Sequence, residues 1–556
     1  MPSQTSPQIS PMIRWRDTIV ALTGWRRRAA AFIFGAVAVL ALPPIHFVPA
    51  LVPAFVGLSW LIDGSRPRAP AGRRQFKWLA WYSGGGPKRD AYRCGWWFGA
   101  GFFLFGLYWI AGALLVDAAK FAWLIPLALA GIAGIFSVYI GLAAVATFGL
   151  SPQGPARIVM LALWWVAFEW LRGWLFTGFP WNLMGTVWTF SDAMIQFTAI
   201  AGVFGLSLVT VMAAVSPAVF GLAGARRLHK WWLVGLSFGV LGLLWAGGAT
   251  RLASASDAMA EGVRLRLVQP NIAQRDKWRR QLRPRHIQIL LSLSRAGSGQ
   301  GSTGEKPTHI IWPETAVPLF LESGSPAARA IAAAIPDGGA LLTGAPRYIG
   351  RAAGGPFLWN SVHIIDADAA FSGTYDKHHL VPFGEYVPLK AYLPITKFTA
   401  GRTDFSAGPG AVSLSVPGAP RVSPLICFEA MFPGRVVAPG QERPGWLLNV
   451  TNDAWFGNSP GPYQHFAGVR LRAAEEGIPL VRVANTGISA VIDAYGRVLV
   501  QSRLGERIAL DSALPTTSSS KTIYSLIGNI SLLILMLLYI AVFAKFYYLY
   551  NRRWLR

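Results

Sequence analysis

Long apolar runs separated by short basic segments limit what this chain can fold into more than any other feature of its sequence. A helix that crosses a membrane needs about 20 mostly apolar residues. The candidate runs lie at 29–43, 46–62, 94–116, 121–149, 156–176, 193–222, 231–249 and 523–544. We therefore expect a membrane protein with an eight-helix transmembrane bundle, whose first two runs form a helical hairpin around Pro43 and Pro44.

The positions of Lys and Arg indicate which loops lie in the cytoplasm. When the runs are threaded alternately through a membrane, most basic residues of the first half fall on one side. These are Arg14, Arg16, Arg26, Arg27, Arg28, Arg66, Arg68, Arg73, Arg74, Lys77, Lys88, Arg89, Arg93, Arg157, Arg226, Arg227 and Lys230, joined by Lys545, Arg552, Arg553 and Arg556 of the tail. Cytoplasmic loops are enriched in Lys and Arg, so we expect both termini in the cytoplasm.

The formal net charge of +25 raises the possibility of nucleic-acid binding. We do not expect it, because no basic helix carries interleaved stacking aromatic residues outside the apolar runs.

A second alternative is that the first apolar run is a cleaved signal peptide, with 26–28 as its basic flank and 36–38 as a small-residue cleavage site. Removing that run would move every later loop to the opposite side of the membrane, so the basic loops would no longer lie in the cytoplasm. We therefore favour a retained helix.

The apolar runs divide the chain into five expected segments. They are a cytoplasmic N-terminus at 1–28, a seven-helix bundle at 29–250, a folded external domain at 262–512, a C-terminal membrane helix at 521–545 and a cytoplasmic tail at 546–556. Cys94 then lies at the cytoplasmic start of the third run and Cys427 lies outside. The two cysteines are on opposite sides of the membrane and cannot form a disulfide.

Strand and helix patterns alternate in the external segment. Short β-rich runs occur at 263–269, 309–312, 340–345, 362–366, 421–428, 446–451, 480–484 and 488–493, the last followed by a hairpin signal at 495–496. Helical patterns occur at 284–296, 326–334 and 461–476. This alternation is typical of a layered α/β domain, and about 250 residues suffice to bury its core.

Three stretches of this segment place reactive side chains at or near apolar strands. Glu314 lies in 311–316, Lys377 in 375–386 and Cys427 in 425–429. A thiolate can act as a nucleophile, a carboxylate can accept its proton, and an ammonium can stabilise an oxyanion. Taken singly, each residue has a structural explanation, as a core thiol or a solvated side chain. Their order within extended motifs favours catalysis.

Those motifs carry a resemblance to a known family. The external segment resembles the nitrilase, or carbon–nitrogen hydrolase, superfamily, whose members share a Glu-Lys-Cys triad and an α-β-β-α sandwich. Within it, the chain is similar to the apolipoprotein N-acyltransferase family, which places this domain on membrane helices. The matching motifs are 268–272, 312–314, 376–388, 427–429, 452–457, 464–465 and 484–489, with 169–174 and 177–181 in the membrane part.

The resemblance implies a role for each matched residue. Glu314 is the implied general base, Lys377 the intermediate-stabilising cation and Cys427 the acylated nucleophile. Supporting roles near the thiol fall on Glu385, Glu429, Phe428 and Trp278. Trp278 matches an essential tryptophan on a mobile arm, and Phe428 stands where family members often have Tyr. Because Phe428 keeps the ring and lacks the hydroxyl, we expect a packing role for it.

Glu169 and Arg172 are ionisable residues inside the fifth apolar run. At a spacing of i, i+3 they can pair on one helix face, and intramembrane ionisable groups are candidates for function. One interpretation is that these two side chains bind a lipid headgroup. The alternative is that Arg172 extends to the outer interface while Glu169 hydrogen-bonds within the bundle.

The resemblance also implies a reaction. Cys427 would take an acyl chain from a phospholipid, with phosphatidylethanolamine as the expected donor, and pass it to the amine of S-diacylglyceryl-cysteine on an apolipoprotein. We expect a monomer in the bacterial inner membrane with its catalytic domain in the periplasm, and no cofactor or metal. The alternatives are a membrane-tethered nitrilase-type amidase and a catalytically inactive scaffold, which the complete triad disfavours.

Overall fold

Two six-stranded β-sheets form the external domain in the computed structural model. The structure describes residues 10–65, 86–223, 227–302, 304–350, 356–388, 390 and 403–552. The first sheet has the order β12-β1-β2-β3-β4-β5 and the second β11-β10-β9-β8-β7-β6. The strands are β1 (Met259–Gln269), β2 (His309–Ile311), β3 (Ala340–Ile349), β4 (Phe357–Asp366), β5 (Phe371–Asp376), β6 (Leu414–Val416), β7 (Ala419–Ile426), β8 (Trp446–Thr451), β9 (Leu480–Ala484), β10 (Ala490–Ile492), β11 (Val498–Gln501) and β12 (Ile508–Pro515).

The longer helices belong to the membrane part and to the outer layers of the sandwich. They are α1 (Pro11–Ala21), α2 (Gly24–Ala38), α3 (Leu51–Asp63), α4 (Pro87–Leu107), α5 (Ile125–Leu150), α6 (Pro155–Arg172), α7 (Thr198–Val215), α8 (Arg227–Ala253), α9 (Arg283–Ser294), α10 (Pro326–Ala332), α11 (Pro460–Glu476) and α12 (Ile530–Arg552). A helix overlaps each of the eight predicted apolar runs.

Four helical stretches of the described residues are long and apolar enough to cross a membrane. They are Pro87–Leu115, Ala118–Leu150, Thr198–Gly221 and Leu228–Ala253. Shorter apolar helices lie at Val48–Asp63 and Ile530–Lys545. The membrane character of the chain therefore agrees with the sequence, while the count of eight spanning helices stays a prediction.

Part of the basic-loop pattern lies outside the described residues. This applies to Arg66, Arg68, Arg73, Arg74, Lys77, Arg226, Arg553 and Arg556, and to residues 1–9 of the expected N-terminus. Arg27, which the pattern places before the first span, is instead buried within α2. Its Nε donates a 2.9 Å hydrogen bond to Cys94 Sγ and its Nη1 a 2.8 Å bond to the Gly64 carbonyl.

Alternating side chains divide the domain into layers. Leu342 and Ile426 point into the core between the two sheets, whereas Leu341 packs outward against α9 and α10. On the second sheet, Leu425 faces outward and packs with α11. Successive residues of a strand point to opposite faces, so each sheet contributes to two cores. The result is the predicted α-β-β-α sandwich.

The sequence pattern misses several strands and extends some of the others too far. Strands β5, β6 and β12 are not predicted, and β11 completes the hairpin signalled at 495–496. The run predicted at 421–428 ends at Ile426, because Cys427 takes a φ of 54°. That left-handed value ends the extended conformation and turns the chain into a short 3₁₀ helix.

The outer helix of the second sheet packs directly on the membrane helices. Val469 and Leu471 of α11 belong to the same apolar core as Val203 and Phe204 of α7 and Leu425 of β7. A single apolar core therefore continues from the external domain into the bundle. The bundle therefore covers the face of α11 that a soluble α-β-β-α domain would leave exposed.

A break in α7 strengthens this junction. Gly202 has a φ of 64° inside the helix, which frees the Val203 N–H to donate a 2.8 Å hydrogen bond to Glu475 Oε1 of α11. A carboxylate at a helix N-terminus is stabilised by the unpaired N–H groups and the helix dipole. Position 202 leaves no room for a side chain, since a Cβ on Gly202 would lie 2.4 Å from a ring carbon of Tyr524.

We predict that Gly202→Ala destabilises the protein. A left-handed conformation costs a non-glycine residue about 1–2 kcal/mol, and the contact with Tyr524 adds to that loss. The measurement is thermal unfolding of the detergent-solubilised protein, followed by tryptophan fluorescence. Gly239→Ala is the matched control, because a Cβ on Gly239 of α8 meets nothing within 4 Å. Equal melting temperatures for the two variants would contradict the argument.

Candidate active site

The three predicted catalytic residues follow strands that end at the same edge of the sandwich. β1, β2 and β3 are parallel to one another, as are β7, β8 and β9. The ends of β1 and β9 meet across the two sheets, where Asn271 N donates a 2.9 Å hydrogen bond to the Asn485 carbonyl. Glu314, Lys377 and Cys427 therefore converge at one edge.

Cys427 occupies a strained backbone conformation immediately after β7. Its φ of 54° costs on the order of 1–3 kcal/mol for a residue other than glycine. Asn449 Nδ2 donates a 3.1 Å hydrogen bond to the Cys427 carbonyl, and His465 Nε2 lies 3.4 Å from the same oxygen. Burial raises the pKa of the thiol to about 12, and the Glu314 carboxylate adds to the rise while Lys377 opposes it.

Glu314 is buried and shares a hydrogen-bond donor with Glu385. Asn360 Nδ2 lies 2.7 Å from Glu314 Oε1 and 3.1 Å from Glu385 Oε1. Burial raises the pKa of Glu314, Lys377 opposes that rise, and Glu385 reinforces it. A carboxyl group with a raised pKa beside a thiol has the character of a general base.

Lys377 is 1% exposed and is held by Glu385. Its Nζ lies 3.0 Å from Glu385 Oε1 and 2.8 Å from Oε2. Burial alone would lower the pKa of this ammonium, but the carboxylates of Glu385 and Glu314 hold it well above its ordinary value. Lys377 is therefore a permanent cation next to the thiol.

Glu429 organises the backbone around the nucleophile. Its carboxylate accepts hydrogen bonds from the N–H groups of Ile426, His378 and His379 at 2.7, 2.9 and 3.0 Å. Tyr375 Oη lies 2.8 Å from it. Although burial opposes ionisation, His378 and these donors lower the pKa of Glu429. Glu429 thus ties the segment after β5, which carries Lys377, to the turn that carries the thiol.

A second lysine, which the sequence interpretation did not select, reaches the same site. Lys277 is 4% exposed, and its Nζ donates a 2.9 Å hydrogen bond to the Glu314 carbonyl. It ends a short helix, Gln274–Lys277, and Trp278 follows it half-buried. The Lys277-Trp278 pair was visible in the sequence, but only the tryptophan matched a family motif.

Buried polar side chains from the second sheet and from α11 support this edge of the sandwich. Asp453 contacts His465 Nδ1 at 2.9 Å and Arg482 Nη2 at 2.7 Å. Although burial opposes ionisation, Arg482 and His465 lower the pKa of Asp453 to about 2. Asp453 and His465 lie in motifs that matched the family, whereas Arg482 lies in the predicted strand at 480–484, and the sequence interpretation gave none of the three residues a role. In the structure they form a buried ionic cluster behind Cys427.

Phe428 links the nucleophile to the membrane helices. Its ring stacks on Trp181 with centroids 6.1 Å apart and lies 5.8 Å from the ring of Phe179. Phe179 in turn stacks on Phe136 of α5 at 4.6 Å. The side chain beside the thiol is therefore the end of an aromatic row that begins in the bundle, which agrees with the packing role expected for its ring.

Glu169 and Arg172 do not pair with each other as the helix spacing indicated. Arg172 donates hydrogen bonds to the carbonyls of Phe179 and Trp181 at 2.6 and 2.8 Å. Glu169 Oε1 accepts a 2.9 Å bond from Met184 N. Both residues are buried, so Arg172 does not extend to the interface. Instead, they hold the loop that carries the aromatic row, and they line a small cavity within the bundle.

Family models and similar proteins indicate the same family for this chain. Residues 34–216 match the model of the apolipoprotein N-acyltransferase N-terminal domain, and residues 264–514 match the carbon–nitrogen hydrolase model. An apolipoprotein N-acyltransferase from Rhodopseudomonas palustris is 40% identical over 529 residues, covering 94% of this chain and 95% of that protein. One from Bradyrhizobium diazoefficiens is 40% identical over 526 residues, with the same coverage.

Solved structures with similarity to the chain cover about half of it. A crystal structure of an amidase from a Nesterenkonia species is 18% identical and covers 47% of this chain and 94% of the amidase chain, with a TM-score of 0.31.

We predict that Glu429→Gln lowers the free energy of unfolding. The amide can accept fewer hydrogen bonds, and each buried donor left unpaired costs about 1–3 kcal/mol. Because the folded-state pKa of Glu429 is lowered, its contribution is fully present above the ordinary carboxyl pKa of about 4.3. It is lost as the pH falls through the lower folded-state value. The difference between variant and wild type should therefore shrink in acid.

The measurement is thermal unfolding in detergent at pH 7 and in increasingly acidic buffers. Glu442→Gln is the matched control, because this carboxylate is 74% exposed and pairs only loosely with Arg421 at 3.5 Å. A Glu429 variant as stable as the Glu442 variant at pH 7 would show that these hydrogen bonds contribute nothing net.

Proposed function

Because the chain belongs to the apolipoprotein N-acyltransferase family, we propose that it transfers a fatty acyl chain from a phospholipid to the N-terminal amine of diacylated apolipoproteins. One observation carries the proposal to this chain's own residues. A thiol, a buried carboxylate and a buried ammonium meet at Cys427, Glu314 and Lys377, and the residue after the thiol packs on aromatic rings of the membrane part.

The first half-reaction acylates the enzyme. Cys427 Sγ attacks the ester carbonyl of the phospholipid, expected at the sn-1 position of phosphatidylethanolamine, while Glu314 accepts the thiol proton. Lys377 stabilises the oxyanion of the tetrahedral intermediate. When the intermediate collapses, the C–O bond breaks, Glu314 returns the proton to the leaving oxygen, and lysophospholipid departs. A thioester remains on Cys427.

The second half-reaction transfers the acyl chain. The α-amine of S-diacylglyceryl-cysteine attacks the thioester carbonyl, and an amide bond forms as the C–S bond breaks. Glu314 accepts a proton from the amine and returns it to the Cys427 sulfur, so the enzyme is regenerated with no net change in protons. The product is a triacylated lipoprotein.

The surroundings of the thiol favour an amine over water as the second nucleophile. Phe428 is 7% exposed and lies between the thiol and the rings of Phe179 and Trp181. An apolar wall of this kind excludes water from the thioester. Glu169 and Arg172 support it by holding the loop that carries these rings, and these two residues are our candidates for seating a lipid headgroup.

The arrangement in the membrane completes the proposal. We infer a seven-helix bundle at 29–250, an eighth helix at 521–545, cytoplasmic ends at 1–28 and 546–556, and a periplasmic catalytic domain at 262–512 in the inner membrane. The chain would act as a monomer. Both substrates are anchored in lipid, so fixing the domain to the bundle raises the effective concentration of each at Cys427.

The nitrilase-type amidase is less well supported as an activity. Relatives that match nearly the whole chain are named apolipoprotein N-acyltransferases, and an enzyme for small soluble amides has no use for aromatic contacts with a membrane bundle. Assaying acyl transfer to a diacylglyceryl peptide beside hydrolysis of small amides separates the two. Ammonia release from small amides without acyl transfer would favour the amidase.

We predict that Cys427→Ala abolishes a covalent acyl adduct that wild-type protein forms with phospholipid. Without the sulfur no thioester forms, so the hydroxylamine-sensitive acyl mass on the peptide containing residue 427 should disappear in mass spectrometry. Cys94→Ala is the matched control, since Cys94 is buried against Arg27 in the bundle. An adduct that persists in the Cys427 variant, or that disappears in the Cys94 variant alone, contradicts the proposed nucleophile.

A further inference from the structure

Lys277 is a buried cation without a carboxylate of its own. Its side chain is 4% exposed, and the hydrogen bond from Nζ to the Glu314 carbonyl, 2.9 Å long, ends on a neutral oxygen. Among the described residues, Lys277 forms no ion pair within 4.0 Å. Burying an ammonium without a paired anion destabilises a folded protein. The burial of Lys277 beside Glu314 is therefore unfavourable for folding.

The other lysine of the site is already paired with a carboxylate. Both carboxylate oxygens of Glu385 lie within 3.0 Å of Lys377 Nζ, so that pair is close to neutral as a unit. Glu314 is then a second carboxylate that shares the Asn360 donor with Glu385. Without Lys277 the site would hold two adjacent carboxylates and one ammonium. With Lys277, these two carboxylates are matched by two ammonium groups.

The balance matters for the acceptor of the thiol proton. Two adjacent carboxylates repel each other, and this repulsion favours protonation of one of them. A protonated Glu314 cannot accept the proton of Cys427. A cation close to Glu314 offsets the repulsion and favours its ionised form.

We propose that Lys277 is a positioning residue that keeps Glu314 ionised and fixes its backbone, so that Glu314 can accept the thiol proton. The inference rests on the proposed acyl transfer and extends it by one residue. Lys277 acts through Glu314 and is not assigned a contact with substrate.

The protonation state of Lys277 supports this role. Burial lowers its pKa to about 8, while the charges of Glu314 and Cys427 oppose the change. An ammonium with that pKa is the majority form at pH 7. The cation is therefore present in the pH range where Glu314 must be ionised.

Charged groups from several elements surround Lys277 and Glu314. Glu314 is influenced by Lys377, Glu385 and Lys277. Cys427 is influenced by Glu314, Lys377 and Asp453, and Lys277 also acts on His286. Lys377 and Lys277 both favour the ionised form of Glu314, and Lys377 is also bound to Glu385.

The backbone that presents Lys277 is held by contacts that do not involve its side chain. Gln274 Oε1 accepts a 2.7 Å hydrogen bond from Asn452 Nδ2, and Asn452 Oδ1 accepts a 2.9 Å bond from Asn485 Nδ2. Asn485 Oδ1 accepts a 3.0 Å bond from Ile272 N. This chain of amides anchors the segment before Lys277, so substitution of the lysine should leave the segment in place.

The test is the pH dependence of acyl-enzyme formation by the full-length protein in phospholipid vesicles or detergent–phospholipid micelles. Acylation of Cys427 is followed by intact-protein mass spectrometry from pH 5.5 to 9. Acylation fails in acid as Glu314 becomes protonated, and removing a nearby cation raises the pKa of a carboxyl group. In Lys277→Gln the acid limb should therefore move to higher pH by about one unit, which lowers the rate roughly tenfold at pH values on the acid side of both limbs.

Two further variants separate charge from structure. Lys277→Arg retains the cation and should keep the acid limb near its wild-type position. Arg275→Gln removes a cation from the same short helix, but this side chain is 76% exposed, so its profile should match wild type. Thermal unfolding of each variant verifies that it is folded before its profile is compared.

The outcomes distinguish this inference from the proposed function. An unshifted acid limb in Lys277→Gln, or an equal shift in Lys277→Arg, overturns the role of Lys277. Wild-type protein that forms no acyl-enzyme from phospholipid overturns the proposed function itself. A one-unit shift in Lys277→Gln alone supports both.

Discussion

The burial of four ionisable groups at one edge of the sandwich is the constraint on which the rest of the structure depends. Glu314, Glu385, Lys377 and Lys277 are all less than one-tenth exposed. Buried charges are tolerated only when they are paired and hydrogen-bonded. Two carboxylates and two ammonium groups satisfy this requirement together, although no single ion pair accounts for all four. The strand ends must therefore be held in register with little freedom.

The membrane bundle supplies part of that rigidity. The apolar core of the bundle continues through α11 to the outer face of the second sheet, and Glu475 binds the broken end of α7. A second connection runs from Arg172 through the loop carbonyls to Trp181 and Phe428. The membrane part thus does more than anchor the domain, because it closes the thiol side of the site with aromatic rings. In the proposed reaction, these rings exclude water from the thioester, and the contacts with the bundle bring the thiol close to the lipid donor.

Glu314 and Cys427 could be selected from sequence because each follows an apolar strand within a long motif, whereas Lys377 was selected from its motif alone. Short strands such as β5, with Ser, Gly and Thr among its six residues, lack the apolar pattern that marks the others. The i, i+3 spacing of Glu169 and Arg172 indicates a pair, yet both bind backbone groups of a distant loop. Lys277 lies in a polar segment where a lysine is ordinarily solvated, and only tertiary contacts reveal its burial.

The raised pKa values of the thiol and of the base have a common consequence. Burial disfavours the charged form of each group, and the Cys427 thiol, with its pKa near 12, is neutral at rest. A neutral thiol is a poor target for oxidants, since the thiolate is the reactive species. In the proposed mechanism, the charged form exists only while a carbonyl carbon is within reach and Glu314 can accept the proton. In the proposed periplasmic location, Cys427 can in this way persist as a thiol until a lipid ester arrives.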